Sequence, residues 1–136
     1  MALINISNHP SSLWSTQQMK AAEKMFGGVI DVAFPSIDPS WTPSELLEKL
    51  DSFLAELSEK YTPLQHYSFH VMGEFNFCFA LVSYLIQAGA DVYASTTERH
   101  VSEEMQGDIK RKVTIFEFVQ FRKYVLKPIS QYHNHE

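Results

Sequence analysis

Apolar and polar positions along the chain alternate between two periods, and each change of period marks a boundary. Ala2–Ile6 is a short apolar, β-prone run that stops at Ser7-Asn8-His9-Pro10, since proline cannot continue a ladder. Ser15-Thr16-Gln17-Gln18 then forms a capping box, with Ser15 as N-cap and Gln18 reaching back, and predicts a helix over Thr16–Phe26 that ends at Gly27-Gly28. Val29–Phe34 returns to strand character and is broken by Pro35. A stronger box follows: Thr42 as N-cap, Pro43 in the first helical position and Glu45 closing it. Leu46, Leu47, Leu50, Phe53, Leu54 and Leu57 continue as an apolar stripe opposite Glu48, Lys49, Glu56 and Glu59, until Pro63.

Residues 66–99 read as strand, turn, buried helix and strand. Tyr67–Met72 is β-prone and ends at Gly73; Phe75–Ala88 has helical spacing, with Gly89 at the position after its C-cap; Asp91–Ala94 opens a further strand. Such a unit is a right-handed, parallel βαβ crossover in nearly all cases. Apolar residues then thin out for about a dozen positions through Gly107-Asp108, and Lys112–Phe121 is strongly β-prone again. With no helix between Ala94 and Lys112, the last two strands are expected to form an antiparallel hairpin with a long loop. Arg122–Glu136, polar with Pro128 near its middle, is expected as a short helix or a frayed tail.

The order β-α-β-α-β-α-β-β predicts an α/β fold. Its expected form is a three-layer, Rossmann-like, mostly parallel sheet with helices on both faces and an antiparallel C-terminal edge strand, one domain over residues 1–136.

Composition narrows the function classes. With 45% hydrophobic and 20% charged residues the chain is an ordinary globular one, and its apolar runs are too short to span a bilayer. Met1–Ile6 is no signal peptide, and a single cysteine, Cys78, excludes a disulfide framework or a cysteine zinc site; both fit a reducing cytoplasm. A net charge of −5 disfavours long nucleic acid. The charge is uneven, −7 over residues 1–98 and +2 over 99–136, so one end can favour a small anion; a solvated basic hairpin is the plainer account.

Ligands of open parallel sheets bind outside the carboxyl ends of the strands. Three polar segments are expected there. Ser7, Asn8 and His9 offer two hydrogen-bonding side chains and an imidazole able to act as general acid or base, or else they satisfy a surface turn. Gly73, Glu74 and Asn76 sit at a strand-to-helix turn where orphan N–H groups favour an anion. Glu74 there reads a hydroxyl or acts as a base, or simply stabilises the helix dipole. Ser95, Thr96, Thr97 and Arg99 suit phosphate oxygens, or else end a strand beside a solvated Glu98–Arg99 pair. No cofactor and no metal are expected: His66 and His70 are four apart in a segment that reads as strand, and His133 and His135 lie in the tail.

LINISNHP, FHVMGEFNFCFALVSYLIQAG, STTER and FEFVQFRKY, in this order, resemble small stand-alone proteins that accompany CRISPR systems and are similar to the CRISPR-associated Rossmann-fold (CARF) domain. The resemblance implies a homodimer that binds a cyclic oligoadenylate. It further implies a ring nuclease that cleaves this messenger without metal and switches antiviral signalling off. The substrate's 2′-hydroxyl would attack the adjacent phosphorus and leave a 2′,3′-cyclic phosphate. His9, Glu74 and Arg99 would be the catalytic candidates, with Ser7, Asn8, Gly73, Asn76, Ser95, Thr96 and Thr97 as ligand contacts. At Met72-Gly73-Glu74-Phe75 the chain departs from the glycine- and threonine-rich turn usual in CARF domains. Two other readings stay open: a non-catalytic module that senses the same ligand, and a small α/β interaction protein with no nucleotide.

Overall fold

A computed structural model describes residues 1–130 of the chain; His133 and His135 lie outside the described residues. Five strands form one sheet in the order β2-β1-β3-β4-β5. They are β1 (Leu3–Ser7), β2 (Val29–Ala33), β3 (Ser68–Met72), β4 (Asp91–Gln106) and β5 (Ile109–Lys123). The first four are mutually parallel and β5 runs antiparallel to β4. Three helices connect the parallel strands: α1 (Thr16–Phe26), α2 (Pro43–Lys60) and α3 (Phe75–Gln87).

The second capping box closes in full, whereas the first forms only its Ser15 half: the Gln18 side chain does not reach back but donates to Ser95 Oγ at 2.9 Å. Ser15 accepts from the Gln18 N–H, and Thr42 and Glu45 cap each other's backbone with Pro43 in the first turn. Helices cover both faces of the sheet. Ile4, Ile6, Phe69, Val71 and Val92 pack against α2 and α3, while Leu3 packs with Ala22 of α1 and with Phe118 and Phe121 of β5. Every residue of β1 is buried because it is an interior strand of a three-layer sandwich, paired on both sides by β2 and β3. Fully buried side chains such as Phe69 and Phe77 each contribute about 1.5–3 kcal/mol. Among the described residues no helix is long and apolar enough to cross a membrane.

The chain leaves β1 toward the β2 edge, crosses back over β1 and continues at β3. Between β1 and β3 the strand order therefore reverses, and such switch points open a crevice at the carboxyl ends of the strands.

Two expectations need correction. β4 does not end at Ala94. It runs sixteen residues to Gln106, so Ser95–Arg99 lie inside a strand and not in a loop beyond one. The hairpin has no long loop either: Gln106 pairs with Ile109 across a two-residue turn, with Gly107 at φ 63° in the position where such a turn demands positive φ. The outer part of this hairpin is a ribbon wet on both faces, so no apolar alternation announces it. The C-terminal stretch is strand through Lys123 and irregular over residues 124–130, with no helix. Tyr124 ties it down, its N–H donating to the Val92 carbonyl and its hydroxyl to that of Val71.

Candidate functional site

Strand alternation places Asn5 and Ser7 of β1, His70 of β3 and Ser95 of β4 on the α1 face of the sheet. The register puts Asn5 directly beside both Asp31 of β2 and His70. Four polar side chains from four strands thus meet at the switch point, and their hydrogen bonds form one chain.

Asn5 is 1% exposed, so its amide must find all its partners inside the protein. Its Nδ2 donates to the Asp31 carboxylate at 2.9 Å and to the His9 carbonyl at 3.0 Å, groups that only accept. Its Oδ1 therefore faces the other way, accepting from Ser7 Oγ at 2.8 Å and from His70 Nδ1 at 2.8 Å. That assignment decides the histidine tautomer: Nδ1 carries the proton and Nε2 presents a bare lone pair. Ser95 Oγ lies 2.6 Å from Nε2 and donates to it, while accepting from Gln18 Nε2 at 2.9 Å. The sequence Asp31–Asn5–His70–Ser95–Gln18 is fully satisfied, with a nucleophilic hydroxyl against an oriented base.

Burial first and His9 second push His70 down to about 4 from its usual 6.5, so the imidazole is neutral near pH 7. The ring is 2% exposed and is boxed by Trp14 and Phe121, both edge-on at 5.3 and 5.6 Å between centroids. At Asp31 burial works to raise the carboxyl, but hydrogen bonds from Asn5 and Ser11 outweigh it and hold it below the usual range. The loop after β1 is pinned to this network. Trp14 Nε1 donates to the His9 carbonyl at 3.0 Å, the His9 N–H donates to Ser7 Oγ, and Ser11 binds Asp31 through its N–H and hydroxyl.

His70 and Ser95 floor a cleft of about 510 Å³ between the start of α1 and the sheet. Leu13, Trp14, Phe116 and Phe118 form its apolar walls, and Ser7, His9, Gln18 and Thr97 its polar parts. That volume falls within the range of small-ligand sites, and among the described residues no Lys or Arg lines it.

Of the expected site residues, the structure brings Ser7, His9, Ser95 and Thr97 together here. Asn8 lines a shallower depression on the far side of the β1 loop, beside Asp31. The others lie elsewhere. Gly73 faces the Phe34 ring, which a Cβ would meet at 2.5 Å, so its bareness serves packing. Glu74 is the N-cap of α3, its carboxylate accepting from the Phe77 N–H at 2.7 Å, and so fills the position an anion would take. Asn76 borders a groove on the opposite face, between α3 and Tyr124–Leu126. Thr96 hydrogen-bonds the Gln120 carbonyl away from the cleft, and Arg99 is exposed on the ribbon, on the face of Thr97 but beyond the cleft lining. Cys78, buried in α3, has its thiol pushed up to about 11 by burial and by Glu74, and is no nucleophile at neutral pH.

The residues that organise the site, Asn5, His70, Gln18 and Asp31, were not among those expected from the sequence. A signal existed: Leu-Ile-Asn-Ile-Ser and Ser-Phe-His-Val-Met each place a polar side chain mid-strand in an otherwise apolar run. In a strand buried on both faces such a residue needs a partner from a neighbouring strand.

A family model described as "Uncharacterized protein MJ1673 family" matches residues 1–122, and the chain belongs to that family. No curated protein and no solved structure matches the chain.

Proposed function

For this member of the MJ1673 family we propose a metal-independent phosphodiesterase acting on a small nucleotide, the cyclic oligoadenylate cleavage that the resemblance to CARF-like ring nucleases implies. The proton-transfer group in this reading is His70, not His9. The observation that carries it is the bare Nε2 of His70 held against Ser95 Oγ, its Nδ1–H fixed by Asn5, at the floor of a cleft with aromatic walls. Trp14 and Phe116 offer ring surface for a base, and base–aromatic stacking contributes about 1–3 kcal/mol per base.

The chemistry needs one base. The substrate 2′-hydroxyl gives its proton to Ser95 Oγ as Ser95 passes its own to His70 Nε2. The 2′-oxygen bonds to phosphorus and the bond from phosphorus to the 5′-oxygen breaks. The proton returns from His70 to the leaving 5′-oxygen. Atoms and charge balance without water, leaving a 2′,3′-cyclic phosphate and a 5′-hydroxyl. A histidine whose protonated form is so disfavoured gives its proton back readily. Proton transfer of this kind contributes roughly 10²–10⁴-fold, and holding the hydroxyl in line adds more.

The 2.6 Å Ser95–His70 contact also favours a second reading, in which Ser95 itself is the nucleophile of an acyl or phosphoryl transfer. Incubation of the protein with a panel of cyclic oligoadenylates in EDTA tests both. Linear products ending in 2′,3′-cyclic phosphate are expected, reduced but present in Ser95→Ala and lost in His70→Gln. Loss of all activity in Ser95→Ala, together with labelling of Ser95 by a fluorophosphonate, would replace the first reading by the second. Intact ligand that co-elutes with the protein would make it a sensor, and neither binding nor cleavage would end the nucleotide reading.

A further inference from the structure

β5 is an edge strand of fifteen residues that contains no proline. Only its C-terminal part, from Phe118 on, packs on the body, through Phe118 and Phe121; the remainder pairs with β4 as a ribbon exposed on both faces. A lone two-stranded ribbon is marginal in water, and a long unprotected edge is a template for another strand. This edge also carries apolar side chains in the open: Ile109 is 70% exposed, Ile115 55% and Phe116 64%.

We propose that β5 pairs antiparallel with β5 of a second copy about a two-fold axis at Thr114, and that the partner's Lys110 and Lys112 thereby complete the cleft. The second half rests on the phosphodiesterase reading; the first does not. Charge fixes the register. Directly opposed residues of an antiparallel pair share a face, and along the exposed stretch Glu117 is the one acid, with Arg111 the one base on its face. Pairing centred on Thr114 sets Arg111 against the partner's Glu117, and the same contact recurs across the axis. It also sets Val113 against the partner's Ile115 twice. The free edge of β4 offers nothing comparable: a pairing that opposes Arg99 to Glu103 also opposes Glu98 to Glu104.

In this register the partner's Lys112 stands beside Phe116 and the partner's Lys110 beside Phe118, the two phenylalanines that line the cleft. Among the described residues the cleft of one copy is lined by no Lys or Arg, so the partner's lysines would supply cations for an anionic ligand. Within its own chain Lys110 is held by an exposed 3.7 Å pair with Glu103, which is worth little and easily exchanged.

The test is sedimentation or light scattering of the full chain, with charge reversals on the exposed ribbon where folding is not at stake. Twice the chain mass is expected for the wild type, single-chain mass for Arg111→Glu and for Glu117→Arg, and restored dimer for the double variant. Thr114→Cys should cross-link under mild oxidation, since opposed Cα atoms about 4.5–5.5 Å apart admit a disulfide and the native Cys78 is buried. A monomeric wild type, or a dimer indifferent to both reversals and not cross-linked by Thr114→Cys, would overturn the interface. A dimer that passes these tests but binds cyclic oligoadenylate equally well in Lys110→Ala/Lys112→Ala would overturn the role of the lysines. A dimer that passes them and binds no nucleotide would overturn that role and the phosphodiesterase reading, and leave the interface standing.

Discussion

His70 makes stability depend on pH in a defined window. In the unfolded chain its imidazole takes up a proton near 6.5, whereas in the folded protein burial delays this until about 4. Its contribution is therefore fully present above about pH 6.5, is lost as the pH falls through that interval, and is gone below about pH 4. The gap corresponds to about 3 kcal/mol in total. Between pH 7.5 and 4.5 the wild type should lose about 2–3 kcal/mol that His70→Gln does not. Carboxylates titrate in both proteins and cancel in the difference; Asp31, held below the usual carboxylate range, acts at still lower pH. The assay is urea denaturation of both proteins at pH 7.5, 6, 5 and 4.5, comparing unfolding free energies. Parallel pH dependences, agreeing within about 0.5 kcal/mol across the window, would refute the burial argument.

Three further substitutions have definite outcomes. Asn5→Ala strands the His70 Nδ1–H in the core and is expected to cost about 2–4 kcal/mol by denaturant titration, with cleavage falling about 10²-fold or more as the tautomer is no longer fixed. Gly73→Ala drives a methyl into the Phe34 ring and is expected to cost about 1–3 kcal/mol by thermal melting, with ligand affinity unchanged. Glu74→Ala removes the α3 N-cap, which should cost about 1 kcal/mol and leave the cleavage rate as it was; a collapse of activity in a folded variant would return Glu74 to the chemistry.

What the sequence disclosed follows from where local physics decides. Ser15 with Gln18, and Thr42 with Pro43 and Glu45, fix two helix starts by hydrogen bonds made within four residues, so neither needs tertiary context. The βαβ order and the layers follow from the short apolar runs of β1 and β3, which alternate with helical spacing, and from the stripe of α2. The antiparallel pairing of β4 and β5 was legible, but the tip of their ribbon was not: its residues face water on both sides, so Glu103, Glu104, Lys110 and Arg111 read as loop. Gly73 was ambiguous for another reason: a bare Cα suits a ligand or a packed ring equally, and only the fold places Phe34 against it. His70 was weighed only as a partner of His66 for metal. Its meaning came from register, since Asn5 lies sixty-five positions away and Ser95 twenty-five. Ser7, His9, Ser95 and Thr97 were legible as polar residues on the carboxyl side of the parallel strands, while the continuation of β4 through Ser95 and Thr97 and the network that orients them were not.

The central claim is that His70 is a neutral base with Nδ1 protonated and Nε2 turned to Ser95, and nitrogen-15 NMR of the histidine side chains near pH 6 tests it directly. One histidine is expected with a protonated Nδ1 and an unprotonated, hydrogen-bonded Nε2, unchanged until the pH approaches about 4 and absent from the spectrum of His70→Gln. A His70 that carries its proton on Nε2, or that titrates near 6.5 like an exposed imidazole, would contradict it.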